Sequence, residues 1–207
     1  FGGTAAVKDF IRYAHGKNKN GKINILDIGS GSCDIPVKII KWAEKNNINV
    51  KFTCIEKDSE ALKNRPDVKN LPISFVNTDI FKYKFSAQFD YAVASMFMHL
   101  LSDEEIVQLV NRLQKYTGKG IFINDLHRTA FTYASCLVVS TFIKKEVRHD
   151  ALISIKKGFR KNELERLLSI SGQNVTVGLR PWGRITALVE FSGERKIEHS
   201  NQITYDG

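Results

Sequence analysis

The sequence has few cysteines, prolines and glycines. Its 207 residues include 3 Cys, 4 Pro and 14 Gly, which excludes a collagen and leaves no room for low-complexity linkers. The cysteines are odd in number and widely spaced, and no Cys-x-x-Cys pair occurs. They therefore predict neither a disulfide framework nor a zinc site; they are Cys33, Cys54 and Cys136. This usage fits a reducing, cytoplasmic environment.

The sequence also lacks a hydrophobic run long enough to cross a membrane. Its most apolar uncharged stretch is 129–143, which falls short of the roughly 20 residues that a spanning helix needs. We predict a buried or interfacial helix there instead.

Signals for nucleic-acid binding are missing as well. The net charge of +9 favours solubility and non-specific attraction to polyanions. There is no basic run with interleaved aromatics, no zinc-finger spacing and no RNP-like strand, which argues against nucleic acid as the cognate partner. The composition, 43% hydrophobic and 26% charged, is typical of a globular protein. The length predicts one domain over 1–192 and a polar tail over 193–207.

Short apolar runs alternate with helical patterns through most of the chain. Between the strands we predict a helix with Asp34 as N-cap and Pro36 in its first turn, and a short helix over 59–64. Another begins at the capping-box spacing of Ser102 with Glu105 and ends at Gly118. The alternation predicts a mainly parallel sheet, with strands at 23–28, 50–56, 73–77, 89–95 and 120–124.

The last third of the chain departs from this alternation. A leucine pattern around Leu164, Leu167 and Leu168 predicts one more helix. Two apolar runs, 174–179 and 184–191, are joined by a short turn and predict an antiparallel hairpin.

A glycine-rich turn follows the first strand, with the sequence DIGSGSCD over 27–34. Doubly wound sheets bind nucleotide-like ligands at such a strand–turn–helix. A dinucleotide site needs a third glycine where this chain has Asp34, and Asp27 adds a second carboxylate that would repel a pyrophosphate. No Gly-Lys-Ser/Thr follows, which excludes a P-loop. The turn therefore predicts a phosphate-free, partly cationic ligand, and S-adenosylmethionine fits.

Two further acids follow the next strands. Glu56 ends the second strand, where a carboxylate can accept both ribose hydroxyl protons. Asp79 follows the third strand, where it can accept from the adenine amine while Ile80 and Phe81 pack on the ring. Three acids at successive strand ends are expected to share one edge of the sheet.

These motifs resemble those of class I S-adenosylmethionine-dependent methyltransferases. The resemblance spans about 23–125 and is nearest to the ubiquinone/menaquinone-type small-molecule group. Two segments, 98–105 and 123–128, are similar to bacterial members found beside polyketide-type biosynthetic enzymes. One departure is Cys33, where many members have a third glycine. The motifs are LDIGSGSCD at 26–34, IEKD at 55–58, NTDI at 77–80 and DYAVAS at 90–95.

The resemblance implies an α/β, Rossmann-like fold with seven strands in the order 3-2-1-4-5-7-6, strand 7 antiparallel, and a helical substrate cover over 129–158. It implies S-adenosylmethionine as cofactor and S-adenosylhomocysteine as product. The implied cofactor-binding residues are Asp27, Gly29, Ser30, Gly31, Glu56, Lys57, Asp79, Ile80 and Ser95.

Methyl transfer needs mainly alignment of the acceptor, and needs a base only if the acceptor must lose a proton. His127, just past the fifth strand, is the first candidate for that base or for an acceptor hydrogen bond, and His99, past the fourth, is the second. Behind His127 the uncharged stretch is followed by Lys144, Lys145 and Arg148. Such a cover suits an acceptor with an apolar body and an acidic group, or one delivered at a membrane surface.

The expected function is methyl transfer to an oxygen or carbon of a small, aromatic or polyketide-like acceptor. An enzyme of the same fold acting on RNA or protein is an alternative, disfavoured because 94–97 reads ASMF and not Asn-Pro-Pro-Tyr. A non-catalytic S-adenosylmethionine-binding module and a nicotinamide dehydrogenase are further alternatives. No metal requirement is expected, since no ligand spacing occurs. The oligomeric state is left open.

Overall fold

The computed structural model describes residues 2–18, 21–63, 65–129 and 156–192. These residues contain a seven-stranded sheet in the order β3-β2-β1-β4-β5-β7-β6. β7 pairs antiparallel with both neighbours, and the other pairs are parallel. The predicted fold is thereby confirmed. The strands are β1 Lys22–Ile28, β2 Asn49–Glu56, β3 Ile73–Asn77, β4 Phe89–Ser95, β5 Thr117–Leu126, β6 Asn174–Arg180 and β7 Arg184–Glu190.

Helices cover both faces of the sheet and create two cores. α1 and α2 pack on one face, over Ile25, Phe52 and Val93. α4 and α5 pack on the other face, over Ile28 and Ile123. Because both faces are covered, β1 and β4 read as nearly continuous apolar runs. The helices are α1 Gly3–Lys17, α2 Asp34–Glu44, α3 Ser59–Lys63, α4 Asp103–Leu113 and α5 Lys161–Ser169, with a 3-10 turn at Met98–Leu100.

The predicted start of α4 is confirmed by its hydrogen bonds. The Glu105 amide donates to Oγ of Ser102 over 3.2 Å, and the Ser102 amide donates to Oε2 of Glu105 over 2.8 Å. This reciprocal capping satisfies two backbone donors that the first helical turn leaves unpaired. It fixes the residue at which α4 begins.

Two predicted helix boundaries are wrong. Gly118 does not end α4, which stops at Leu113; Gly118 lies inside β5, which begins at Thr117. Asp34 is the first helical residue of α2 and not its N-cap, because Cys33 takes the N-cap position. Gly118 thus belongs to the strand that follows α4, and Asp34 belongs to the helix that it was predicted to cap.

α1 was not predicted from the sequence. Its buried residues recur at helical spacing and pack against the face that also carries α2. That spacing is readable in the sequence; the residues are Ala6, Val7, Phe10, Ile11 and Ala14.

Two predicted segments lie outside the described residues. They are 130–155, which holds most of the predicted cover with its basic residues, and the tail 193–207. Within the described ranges, no helix is both long and apolar enough to cross a membrane.

Candidate functional site

The glycine-rich turn is tied to the neighbouring strand. The amides of Gly29 and Ser30 both donate to the carbonyl of Ile55, over 2.9 and 3.2 Å. Gly29 and Gly31 have positive φ values of 65° and 54°, which glycine adopts without a steric penalty. The turn therefore crosses the carboxyl ends of β1 and β2, where ligands of open α/β sheets bind.

The ring of Phe97, just past β4, packs on this turn. A Cβ added at Gly29 would lie 2.2 Å from Cδ2 of Phe97. Only glycine leaves room for the ring, so the backbone and the aromatic face meet directly. Phe97 thus forms a wall between the glycine-rich turn and the end of β4.

Cys33 occupies a position where glycine is expected in many members of the resembled family. It has φ 62° and ψ 23°, its side chain is fully buried, and its amide donates to the Ser30 carbonyl over 2.9 Å. The left-handed conformation costs a residue with a Cβ about 1–2 kcal/mol. The turn therefore keeps its shape with cysteine in this place.

Glu56, at the end of β2, joins two loops. Its Oε2 accepts from the Gly31 amide and its Oε1 accepts from the Asp58 amide, each over 2.9 Å. Each carboxylate oxygen keeps further acceptor capacity. Glu56 is thus held in place beside the glycine-rich turn. It can still accept hydrogen bonds from two hydroxyl groups, such as those of a ribose.

Asp79 follows β3 on the same edge. Its Oδ1 accepts from the Phe81 amide over 2.9 Å, and the amide of Thr78 donates to the Glu56 carbonyl over 3.1 Å. The first bond fixes the turn after β3, and the second holds the ends of β2 and β3 together. Ile80 is buried in the core on the α4 side, whereas Lys57 is exposed; their contact with a cofactor stays a prediction.

Asp27 is the buried member of the acidic set. Burial first, and then the nearby acidic groups of Cys33 and Glu56, raise the pKa of Asp27 well above its usual range. A carboxylate in such surroundings is stabilised by a positively charged ligand. The three acids together therefore favour a cation at this edge.

The end of β4 is linked to the end of β5. The amide nitrogen Nδ2 of Asn124 donates to Oγ of Ser95 over 2.7 Å, and the Met96 amide donates to the Asn124 carbonyl over 2.9 Å. Asn124 is fully buried, and its Oδ1 has no hydrogen-bond partner. Asn124 was not among the predicted site residues; its signals in the sequence are its position at a strand end and its place in the similar segment 123–128.

His99 forms a buried pair with Asp125. Nδ1 of the imidazole lies 2.7 Å from Oδ1 of Asp125, and the His99 amide donates to Oδ2 over 3.2 Å. The side chains are 4% and 0% exposed. The carboxylate favours a proton on Nδ1, which leaves Nε2 as the acceptor nitrogen. Asp125 was not among the predicted site residues.

His127 follows β5, which β4 separates from β1 and its glycine-rich turn. Its amide donates to the Gly183 carbonyl over 2.9 Å, and burial lowers the pKa of its imidazole. It lines a cavity of about 560 Å³ with Arg160 and Lys161 at the start of α5, and no residue of the glycine-rich turn lines that cavity. The structure thus does not bring His127 together with the acidic set.

Among the residues that the structure describes, no three His, Cys, Asp or Glu side chains are grouped as metal ligands. A metal-independent reaction stays a prediction.

No protein-family model and no curated protein sequence matches the chain. Solved structures do match. The plantazolicin methyltransferase BpumL, solved with S-adenosylhomocysteine and a triazolic desmethyl-plantazolicin analogue, superposes with a TM-score of 0.72 at 19% identity, covering 90% of this chain and 83% of that one. The plantazolicin methyltransferase BamL gives 0.71 at 15% identity, covering 91% and 85%.

A third similar structure is the magnesium protoporphyrin IX methyltransferase of Synechocystis PCC 6803, solved with S-adenosylmethionine. It gives a TM-score of 0.62 at 8% identity and covers 92% of this chain and 80% of that one. At these identities the likeness establishes the Rossmann-like methyltransferase fold.

Proposed function

We propose that this chain is an S-adenosylmethionine-dependent methyltransferase that methylates an oxygen or carbon of a small, aromatic or polyketide-like acceptor. The observation that carries the proposal is the acidic set Asp27, Glu56 and Asp79 at the carboxyl ends of three neighbouring strands, with Glu56 bonded to the glycine-rich turn. The fold is that of proteins solved with S-adenosylmethionine or S-adenosylhomocysteine.

The residues fit the parts of this cofactor. S-adenosylmethionine supplies a methyl group already activated on a sulfonium. Glu56 would hold the ribose hydroxyls and Asp79 the adenine amine. The glycine-rich turn, with Asp27 beneath it and Ser95 opposite, would hold the positively charged methionine end.

For an acceptor that must lose a proton, the pairing with Asp125 favours His99 as the base, although the sequence put His127 first. Asp125 holds its ring through Nδ1, so the neutral imidazole has an acceptor at Nε2, as a general base requires. His127 remains the alternative. The lowered pKa of His127 keeps it neutral at physiological pH, which also suits a base.

The proposal extends to the small-molecule, ubiquinone/menaquinone-type group, which the sequence motifs support. The plantazolicin methyltransferases solved with desmethyl-plantazolicin analogues lend support to an acceptor of modest size. The cysteine usage supports a cytoplasmic location.

Calorimetric titration with S-adenosylhomocysteine and with NAD tests the function. We expect the former to bind and the latter to give no heat. Glu56→Ala should weaken binding by about 10- to 150-fold, the equivalent of roughly 1.5–3 kcal/mol for hydrogen bonds to a charged group. The matched control is Glu44→Ala, which removes the same charge from an exposed position at the end of α2. A chain that prefers NAD overturns the proposal.

A further inference from the structure

An arginine at the start of β7 faces the ligand edge of the sheet without a carboxylate partner. Arg184 is half-buried, and its guanidinium donates to Sδ of Met96, two strands away at the end of β4. The ion pairs among the described residues do not include Arg184. A half-buried guanidinium that donates to a thioether is left with most of its hydrogen-bonding capacity unused.

The nearest acid does not supply the missing partner. Asp125 is close enough to raise the pKa of Arg184, although burial has the larger effect and lowers it. The Oδ1 of Asp125 is already bonded to the His99 ring and accepts from the Leu126 amide over 2.8 Å, and its Oδ2 accepts from the His99 amide. The Asp125 carboxylate thus makes its hydrogen bonds on the side of β5 opposite to Arg184.

The amino end of α1 adds positive potential beside this guanidinium. A Cβ at Gly3 would lie 3.8 Å from Nη2 of Arg184 and 3.5 Å from Nδ2 of Asn124. No side chain caps α1, and its first turn contains no acidic residue. Backbone amides of a first helical turn point outward and favour an anion. An arginine beside the positive end of a 15-residue helix is an arrangement that an anion stabilises.

Asn124 supplies a second donor beside this space. Its side chain is fully buried, Nδ2 donates to Oγ of Ser95, and Oδ1 has no hydrogen-bond partner. Nδ2 is the Asn124 atom that lies beside α1, 3.5 Å from a Cβ at Gly3. An amide nitrogen carries two hydrogens, so Nδ2 can donate the second one to an anion next to Arg184.

We propose that Arg184, Asn124 and the amino end of α1 bind a carboxylate group of the methyl acceptor. This inference rests on the proposed function and names its substrate class as carboxylic acids. The site lies at the ends of β5 and β7, on the far side of β4 from Glu56 and Asp79. It adjoins the predicted cofactor site at Ser95, whose Oγ accepts from Nδ2 of Asn124. A guanidinium fork matches a planar carboxylate through two hydrogen bonds. The acids of the cofactor site disfavour a dianion at the same edge.

Trp182 offers a surface for the body of such an acid. Its indole is 80% exposed, and its Cδ1 would lie 3.8 Å from a Cβ at Gly2. The ring is therefore held next to the amino end of α1, at the rim of the proposed site. An aromatic acid can place its carboxylate on Arg184 and its ring near Trp182.

Benzoate and its neutral analogue benzamide are suitable probes. Each is titrated into the full chain, with and without saturating S-adenosylhomocysteine, and followed by NMR chemical shifts. We expect benzoate to bind with a Kd on the order of 1 mM and benzamide to bind at least about tenfold more weakly. Arg184→Gln should weaken benzoate binding at least about tenfold, and Arg184→Lys should retain part of it. The control Arg166→Gln removes the same charge from an exposed position on α5 and should leave binding unchanged.

The results separate this inference from the proposed function. If S-adenosylhomocysteine binds but benzoate does not, or if Arg184→Gln leaves benzoate affinity unaltered, the carboxylate site is wrong and the methyltransferase proposal stands. If Arg184→Gln weakens S-adenosylhomocysteine tenfold, Arg184 belongs to the cofactor site and the inference is overturned. Tighter binding of phenyl phosphate than of benzoate overturns the carboxylate assignment. If Arg184→Gln does not fold, Arg184→Lys is tested in its place. Full benzoate affinity in that variant, together with benzamide binding as tightly as benzoate, would also refute the carboxylate site.

Discussion

Nδ1 of His99 lies 2.7 Å from Oδ1 of Asp125, and neither side chain is open to solvent. The residues are 26 positions apart in the chain, one just after β4 and the other near the end of β5. The bond therefore joins two strand ends and sets which imidazole nitrogen carries the proton. Asp125 acts on His99 as a positioning residue.

Asp125→Asn should release the control over the His99 tautomer. We expect the proton to sit on Nδ1 in the native protein and to be shared between both nitrogens in the variant, because an amide can donate as well as accept. Nitrogen-15 NMR of the imidazole distinguishes the two forms. Asp90→Asn, at the opposite end of β4, where the carboxylate pairs with Lys119, is the control. An unchanged tautomer in Asp125→Asn would show that another group orients the ring.

Gly29→Ala should destabilise the protein more than Gly21→Ala. Both glycines have positive φ values, but only at Gly29 would the added Cβ meet Phe97, at 2.2 Å; at Gly21 it would meet nothing within 4 Å. The backbone penalty alone is about 1 kcal/mol, and the clash adds about 1–3 kcal/mol. Urea unfolding measures both free energies. The double variant Gly29→Ala with Phe97→Ala should show a smaller loss than the two single changes added together. Equal losses of unfolding free energy for Gly29→Ala and Gly21→Ala would mean that the Phe97 ring does not pack against the turn.

Asp27→Asn should stabilise the free protein at neutral pH. Because the pKa of Asp27 is raised in the folded state, its favourable contribution exists below the unfolded pKa of about 3.9 and is lost as pH rises through the folded value. The variant should therefore match the native protein at low pH and exceed it at pH 7. An increase of about 1 kcal/mol in the free energy of unfolding corresponds to a Tm increase of about 2–4 °C.

The control for that experiment is Asp34→Asn. Asp34 is exposed in the first turn of α2, where a negative charge favours the helix. The control should lower Tm slightly at pH 7. A lower Tm for Asp27→Asn as well would contradict the expected cost of the buried charge.

His127 should titrate below the usual histidine value of about 6.5, because burial disfavours its charged form. Stability linked to His127 is full above the unfolded pKa and is lost as pH falls toward the folded value. Proton NMR of the imidazole over pH 4–8 measures the shift. If His127 is the base, His127→Ala lowers turnover about 10²- to 10⁴-fold and leaves S-adenosylhomocysteine affinity nearly unchanged. A turnover loss limited to His99→Ala would assign that role to His99.

Removal of metal ions should not affect cofactor binding. We expect the same affinity for S-adenosylhomocysteine before and after treatment with EDTA, since the predicted cofactor contacts come from carboxylates and backbone amides. Calorimetry of the treated and untreated chain is sufficient. Affinity that falls on chelation and returns with magnesium would require a metal in the site.

Local patterns predicted much of the sheet and the acidic set. β3 and β4 begin and end where the sequence predicts, because short apolar runs between polar turns have few alternatives to a buried strand. Glu56 and Asp79 were found because parallel strands bring their carboxyl ends to one edge. The order of the strands came from the family resemblance and not from any local pattern.

The residues that the sequence did not reveal act through contacts between distant strands. Asn124 and Asp125 are adjacent in the chain but face opposite sides of the sheet, one bonded to Ser95 and the other to His99. Arg184 reaches from β7 to Met96, the residue after β4. Such pairings depend on strand register, which a single sequence does not state.

The position of α1 has a consequence for the order of folding. Asp9 pairs with Arg180 across 171 positions of sequence, and Tyr13 bonds to Glu190 across 177. Contacts of such long range are entropically costly to close before the rest of the sheet exists. As the chain leaves the ribosome, α1 has no β7 to contact until nearly all of the sheet has been synthesised. Although α1 is made before the seven strands of the sheet, it is therefore among the last elements to gain its full set of contacts, and its docking completes the proposed carboxylate site.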